Sequence, residues 1–189
     1  KMLPPWFPAM FSASGFLLFG SSLFLSIKDI RGLGNVVKPN LSDLASLSPL
    51  LRVTFGWFGL YYAFLFFQSW SKFFAFNAMK KESKGDSSKS PSFGQVKYGA
   101  AAGTKYFALN GDRTAGNMME QSIPFLVALW MHGTMIDVGS AAQLGWAWLL
   151  TRAIYPIVFH YGLPWLLAST VPGYVCISLL MQPFFAFAF

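Results

Sequence analysis

The chain has 189 residues, 54% of them hydrophobic and only 11% charged, with a net charge of +7 and a mean hydropathy of +0.47. A soluble domain carries about 25% charged residues, so the composition excludes an ordinary soluble globule, and the same numbers exclude a disordered chain. Cys176 is the single cysteine, which excludes an internal disulfide framework.

The charges are unevenly placed, and the gaps between them predict the elements. Residues 9–27 and 53–71 carry none, and after position 113 only Glu120, Asp137 and Arg152 are charged. A bilayer span needs about 20 mostly apolar residues. The pattern predicts five spans, at about 8–27, 50–77, 113–136, 141–160 and 162–187. If 8–27 lies flat at the interface instead, four spans remain and both termini share one face. Pro4, Pro5, Trp6, Phe7 and Pro8 suit an interfacial lead-in to that helix. In the 28–47 connection, Ser42 and Asp43 are candidate caps for the next helix. The last two spans meet at Tyr161-Gly162, with Pro164 just beyond.

Between the second and third spans lies a polar stretch, 78–112. It holds Lys80, Lys81, Lys84, Lys89, Lys97 and Lys105 against Glu82, Asp86 and Asp112. The positive-inside rule places such a loop on the cytoplasmic, stromal or matrix side; a functional reading is attraction of an anionic ligand or lipid headgroup. The first residue is Lys, not Met, which a removed targeting peptide or an incomplete sequence explains equally well; the former favours a plastid or mitochondrion over the ER membrane.

The third span carries the chemistry. Arg113, Asn117, Glu120 and Pro124 recur at i, i+4, i+7 and i+11, which at about 100° per residue puts them within roughly 60° on one helix face. Ionisable groups inside a span pair with one another or line a polar cavity. Arg152 lies in the next span, with Tyr155 and Phe159 at i+3 and i+7. A short connection makes the two helices antiparallel neighbours, with Glu120 and Arg152 at comparable depth. The pair reads either as an ion pair fixing helix register or as part of a pocket for a charged small ligand. His132 and His160 are the only histidines and have no Cys or carboxylate cluster, so no metal site is expected. The lysine loop has neither the aromatics nor the fold context for nucleic acid.

At these residues the sequence resembles the MAPEG family, the membrane-associated proteins in eicosanoid and glutathione metabolism. The shared pattern is Arg-x3-Asn-x2-Glu followed by Pro-Phe-Leu, here Arg113, Asn117, Glu120, Pro124, Phe125 and Leu126, with Arg152 and Tyr155 on the next helix. The resemblance covers about 48–187. It implies an all-α integral membrane fold, a four-helix transmembrane bundle over 48–189, to which 1–47 adds one extra N-terminal hydrophobic helix and its connection. It also implies a homotrimer with glutathione between subunits, in contact with lipids. The residues it assigns to glutathione are Arg113, Asn117, Glu120, Arg152 and Tyr155, and Lys80-Lys81 stand where the family often carries a basic pair.

The chain departs from the family in two places. Phe159 replaces a usual Tyr, and 153–189 holds no Lys or Arg where the eicosanoid synthases use an Arg to activate the thiol. No catalytic residue is assigned. Three functions stay open: a glutathione-dependent transferase or peroxidase acting on a lipophilic electrophile; a non-catalytic accessory subunit of a larger photosynthetic or respiratory complex; and a lipid-binding or transport module using the same pocket.

Overall fold

In the computed structural model, residues 14, 16–22, 43–83, 92–98 and 104–188 are described, and among them every regular element is a helix. In chain order these are α1 (Ser48–Glu82), α2 (Phe93–Tyr98), α3 (Thr104–Met135), α4 (Val138–Ala153), α5 (Tyr155–Tyr161) and α6 (Leu167–Ala188). Residues 16–22 are also helical. The rest of the expected 8–27 helix, most of the 28–47 connection, and the middle of the 78–112 loop lie outside the described residues.

Local chemistry explains the boundaries. Asp43 does not cap α1: its Oδ1 accepts from Ala45 N at 3.0 Å and so closes the preceding turn. α1 starts instead on Leu47, with a proline in the first helical turn and no side-chain cap. Asp137 caps α4, accepting from Ser140 N at 2.6 Å. Pro156 cannot continue the helical hydrogen-bond ladder, and the 138–161 rod breaks at Ile154 into α4 and α5. Gly162 ends α5 with φ +72° and ψ −160°, a conformation essentially confined to glycine. The break expected at Tyr161-Gly162 is therefore real. The 78–112 stretch is more helical than expected: α1 runs to Glu82 and α3 begins at Thr104.

α3 and α4 each touch both α1 and α6, which puts α1 and α6 at opposite corners of the bundle. Glycines set the close approaches. Gly56 faces Trp146, Gly145 faces Val53 and Leu129, and Gly133 faces Leu50. At the centre Phe125 stacks on Trp148 with 3.8 Å between ring centroids, among Leu60, Phe64, Leu149 and Leu180. The 16–22 segment leans on this core: Phe16 meets Phe64, and the buried Phe19 meets Trp146. Helix α2 buries Val96 beside Phe76 of α1 and Ala108 of α3.

The outer surface is apolar. Ile123 and Val127 on α3, Ile157 on α5, and Val171, Val175 and Leu179 on α6 are all exposed, as side chains facing lipid are. α1 and Leu167–Phe185 of α6 are each long and apolar enough to cross a membrane. The 35 residues of α1 extend about 52 Å, well beyond the hydrocarbon thickness of about 30 Å, so one end of the bundle projects past the apolar layer.

Candidate functional site

Arg152 sits in the last turn of α4 and is 1% exposed, among the largest fully buried side chains. A guanidinium inside a bundle has to spend its donors on acceptors held in place. Its Nη1 donates to Asn117 Oδ1 of α3 at 2.6 Å, and its Nη2 donates to the Ser169 carbonyl of α6. Trp148 and Tyr155 lie against it, with ring centroids 5.7 and 6.0 Å from Cζ. Gly173 makes the room, since a Cβ there would collide with Nη2 and lie 3.0 Å from Cζ. Ser169 is itself pinned, its Oγ donating to the Thr151 carbonyl at 2.5 Å. One side chain thus ties α3, α4 and α6 together.

Asn117 is where two stripes of α3 meet. The outer stripe is Arg113, Asn117, Glu120 and Pro124; Asn117 is half-buried and the other three are exposed. The inner stripe is Asn110, Thr114, Asn117 and Gln121, and apart from Asn117 it is buried. Most of this inner polarity is spent on structure. Asn110 Nδ2 donates to the Pro156 carbonyl at 2.9 Å, and its Oδ1 accepts from Thr114 Oγ1 at 3.1 Å. Tyr106 donates to the Phe159 carbonyl at 3.1 Å. Around Asn117 several polar groups remain unspent among the described residues: its own Nδ2 donors, the whole carboxamide of Gln121 one turn on, Nε of Arg152 and the indole N–H of Trp148.

The five residues expected at the site are therefore not equivalent. Arg113 and Glu120 are on the surface, and neither forms an ion pair among the described residues. Asn117 lies between them with its oxygen held from behind. Arg152 and Tyr155 form the backing, both buried. The ion pair between Glu120 and Arg152 does not form. Asn117 takes the guanidinium because it turns about 60° farther toward α4 than Glu120 does. At the entrance to α3 a different ion pair is present, Lys72 Nζ to Asp112 Oδ1 at 2.5 Å, joined by Gln68 Nε2 at 2.6 Å. It staples α1 to α3 where Gly111 lies against Ser71.

Sequence reading did not find Gly173, Gln121 or the Lys72–Asp112 pair, and it offered Ser169, with Tyr161, only as a hydroxyl that could stand in for the missing thiol-activating Arg. The second polar periodicity, at 110, 114, 117 and 121, was there to be read. Ser169 takes part through its carbonyl, and Gly173 through having no side chain. Phe159, which stands in place of a tyrosine, stacks between Tyr155 and Tyr106 at 5.9 and 6.1 Å. The Tyr106 hydroxyl, on the ring stacked against Phe159, is spent on the Phe159 backbone. His132 is held inside the protein, Nδ1 donating to the Leu180 carbonyl at 2.9 Å and Nε2 lying 3.0 Å from Ser140 Oγ.

The residues of the Arg-x3-Asn-x2-Glu pattern thus lie along one face of α3, with Arg152 of α4 bound to Asn117. The family model for MAPEG matches residues 54–181. The chain belongs to the MAPEG family. The match begins within α1 and ends within α6, so it takes in Lys80-Lys81, the α3 stripes, Arg152 and Tyr155. No curated protein and no solved structure matches the chain. The MAPEG assignment makes it a membrane protein, in keeping with its two apolar helices and its exposed apolar jacket.

Proposed function

We propose that the outer stripe of α3 binds glutathione between copies of the chain, most simply in a homotrimer, and that the protein serves as a glutathione-dependent transferase or peroxidase for lipophilic substrates. The observation that carries this is the exposure of Arg113 and Glu120 beside the exposed, lipid-type side chains Ile123 and Val127. A charged residue facing hydrocarbon costs about 3 kcal/mol at mid-span, so this face needs a polar partner. Arg113 and Glu120 are seven positions apart, about 10.5 Å along the helix, and an extended tripeptide is about 10 Å long. Arg113 suits a ligand carboxylate, Glu120 the ligand ammonium, and the free Asn117 Nδ2 donors a peptide carbonyl between them. Arg152 and Tyr155 support this face from behind. In this arrangement all four rods (α1, α3, α4–α5 and α6) cross the bilayer, the lysine-rich 78–112 stretch lies on the cytoplasmic, stromal or matrix side, and the 16–22 helix belongs to an added N-terminal hydrophobic element.

A second reading rests on a separate observation. No Lys or Arg follows Arg152, and the Arg152 guanidinium is occupied by Asn117 and Ser169. A thiol with an ordinary pKa near 8.5 needs a nearby cation to be an effective thiolate at neutral pH. A chain that lacks one suits a non-catalytic accessory subunit of a larger organellar membrane complex. A melting experiment on purified protein separates the two. Saturating glutathione at 100 times Kd stabilises a binder by about 2.7 kcal/mol. The transferase reading expects that shift, expects Arg113→Ala at the same glutathione concentration to cut it to about 1.4 kcal/mol, and expects turnover of a lipophilic electrophile. A shift without turnover moves the assignment to the accessory role, and no shift removes glutathione altogether.

A further inference from the structure

Beyond the α3 face, the lysine-bearing end of α1 carries a separate cavity of about 470 Å³, lined by Trp70, Phe73, Phe74, Asn77, Lys80 and Lys81 with Ala78. These positions recur at i, i+3, i+4, i+7, i+10 and i+11, one stripe on the side of α1 turned away from the buried Ser71, Ala75 and Phe76. One wall is rigid: Phe107 of α3 meets Trp70 and Phe74 edge-on, at 5.4 and 6.0 Å between centroids. The other end is cationic. Lys80 and Lys81 are exposed, and neither has an anionic partner among the described residues.

The spacing matches one layer of a bilayer. Phe74 and Lys81 are seven residues apart, about 10 Å along the helix, and the headgroup layer beyond the hydrocarbon is about 5–8 Å deep. If Trp70, Phe73 and Phe74 lie at the hydrocarbon boundary, as aromatic belts do, Asn77 falls at glycerol depth and the two lysines at phosphate depth. The geometry points to a binding groove for one anionic membrane lipid, with its acyl chains on the aromatic wall and its phosphate on Lys80 and Lys81. Charge complementarity selects the anionic headgroup, because a zwitterionic lipid brings its own cation to the same two lysines.

Native mass spectrometry of the full chain in detergent, titrated with phosphatidylglycerol, phosphatidylcholine or soluble glycerol 3-phosphate, tests this. The groove binds phosphatidylglycerol in preference to the other two. Lys80→Ala/Lys81→Ala weakens that binding by about thirty-fold, each lysine at an anionic surface giving about fivefold. Lys80→Arg/Lys81→Arg restores it, and Phe74→Ala weakens phosphatidylglycerol while leaving the protein monodisperse. Equal affinity for phosphatidylcholine, equal binding of glycerol 3-phosphate, or an unchanged double alanine variant would overturn the proposal. None of these outcomes depends on whether the α3 face binds glutathione.

Discussion

Among the described residues Asn117 Oδ1 has a single donor, Arg152 Nη1, and that one contact decides how the rest of the side chain is used. With the oxygen turned inward, the amide can only donate outward. An Asn117→Asp variant keeps the acceptor and removes the outward donors, so it is expected to keep its melting temperature and lose affinity for glutathione by tenfold or more; equal losses in both would make Asn117 purely structural. Removing the guanidinium strands Asn117 and the Ser169 carbonyl together. Arg152→Met is expected to cost about 3 kcal/mol, two charge-assisted hydrogen bonds at about 1.5 kcal/mol each, read as a lower midpoint in thermal unfolding, and Arg152→Lys does not rescue it because a point ammonium cannot serve two divergent acceptors. Gly173→Ala pushes against the same guanidinium and is expected to cost about 1–3 kcal/mol by overpacking. At this scale the sequence was only partly legible. Arg113, Asn117 and Glu120 were found as a stripe, and Arg152 as their neighbour. The choice of Asn117 over Glu120 was not, because both lie within one helical turn and only the rotation of α3 against α4 separates them.

At the level of elements, the rods were easier to find than their ends. Long apolar windows with few or no charges located α1, α3, the α4–α5 rod and α6, because a lipid-facing helix has to present apolar side chains. The ends went astray where helices leave the apolar layer. Lys105 and Asp112 made 104–112 look like loop, yet α3 starts at Thr104, held by Tyr106 and Asn110 to the carbonyls of Phe159 and Pro156 and by Asp112 to Lys72. The carbonyl partners are 46 and 53 residues away along the chain, and Gln68, which shares Asp112 with Lys72, is 44 away, so no local window contains them. Asn110→Leu removes the docking of α3 on α5 and is expected to raise hydrogen exchange across 104–112 while leaving the centre of α3 protected. The Gly162 turn is local and was legible. Its φ of +72° predicts that Gly162→Ala lowers stability by about 1–3 kcal/mol, and an unchanged melting temperature would mean that the turn relaxes into an ordinary conformation.

As a whole molecule, the protein divides its polarity between holding the bundle and presenting a surface. Arg152, Asn110, Thr114, Ser169 and Tyr106 are spent inside. Arg113 and Glu120 are not, and they mark a face that hydrocarbon does not satisfy and that no described residue pairs with in an ion pair. The MAPEG pattern was visible because its residues sit on one helix at fixed spacing; thiol activation was not, because 153–189 offers no Lys or Arg at which to read it. The most direct test of the α3 face is a calorimetric titration of the purified protein, and of Arg113→Ala and Glu120→Gln, with glutathione and with an analogue lacking its amino group. The expected result is saturable glutathione binding that weakens about tenfold in each variant, with Glu120→Gln making no difference to the deaminated analogue. Binding that is absent, or that is indifferent to both substitutions, would contradict the assignment of this face as the ligand site.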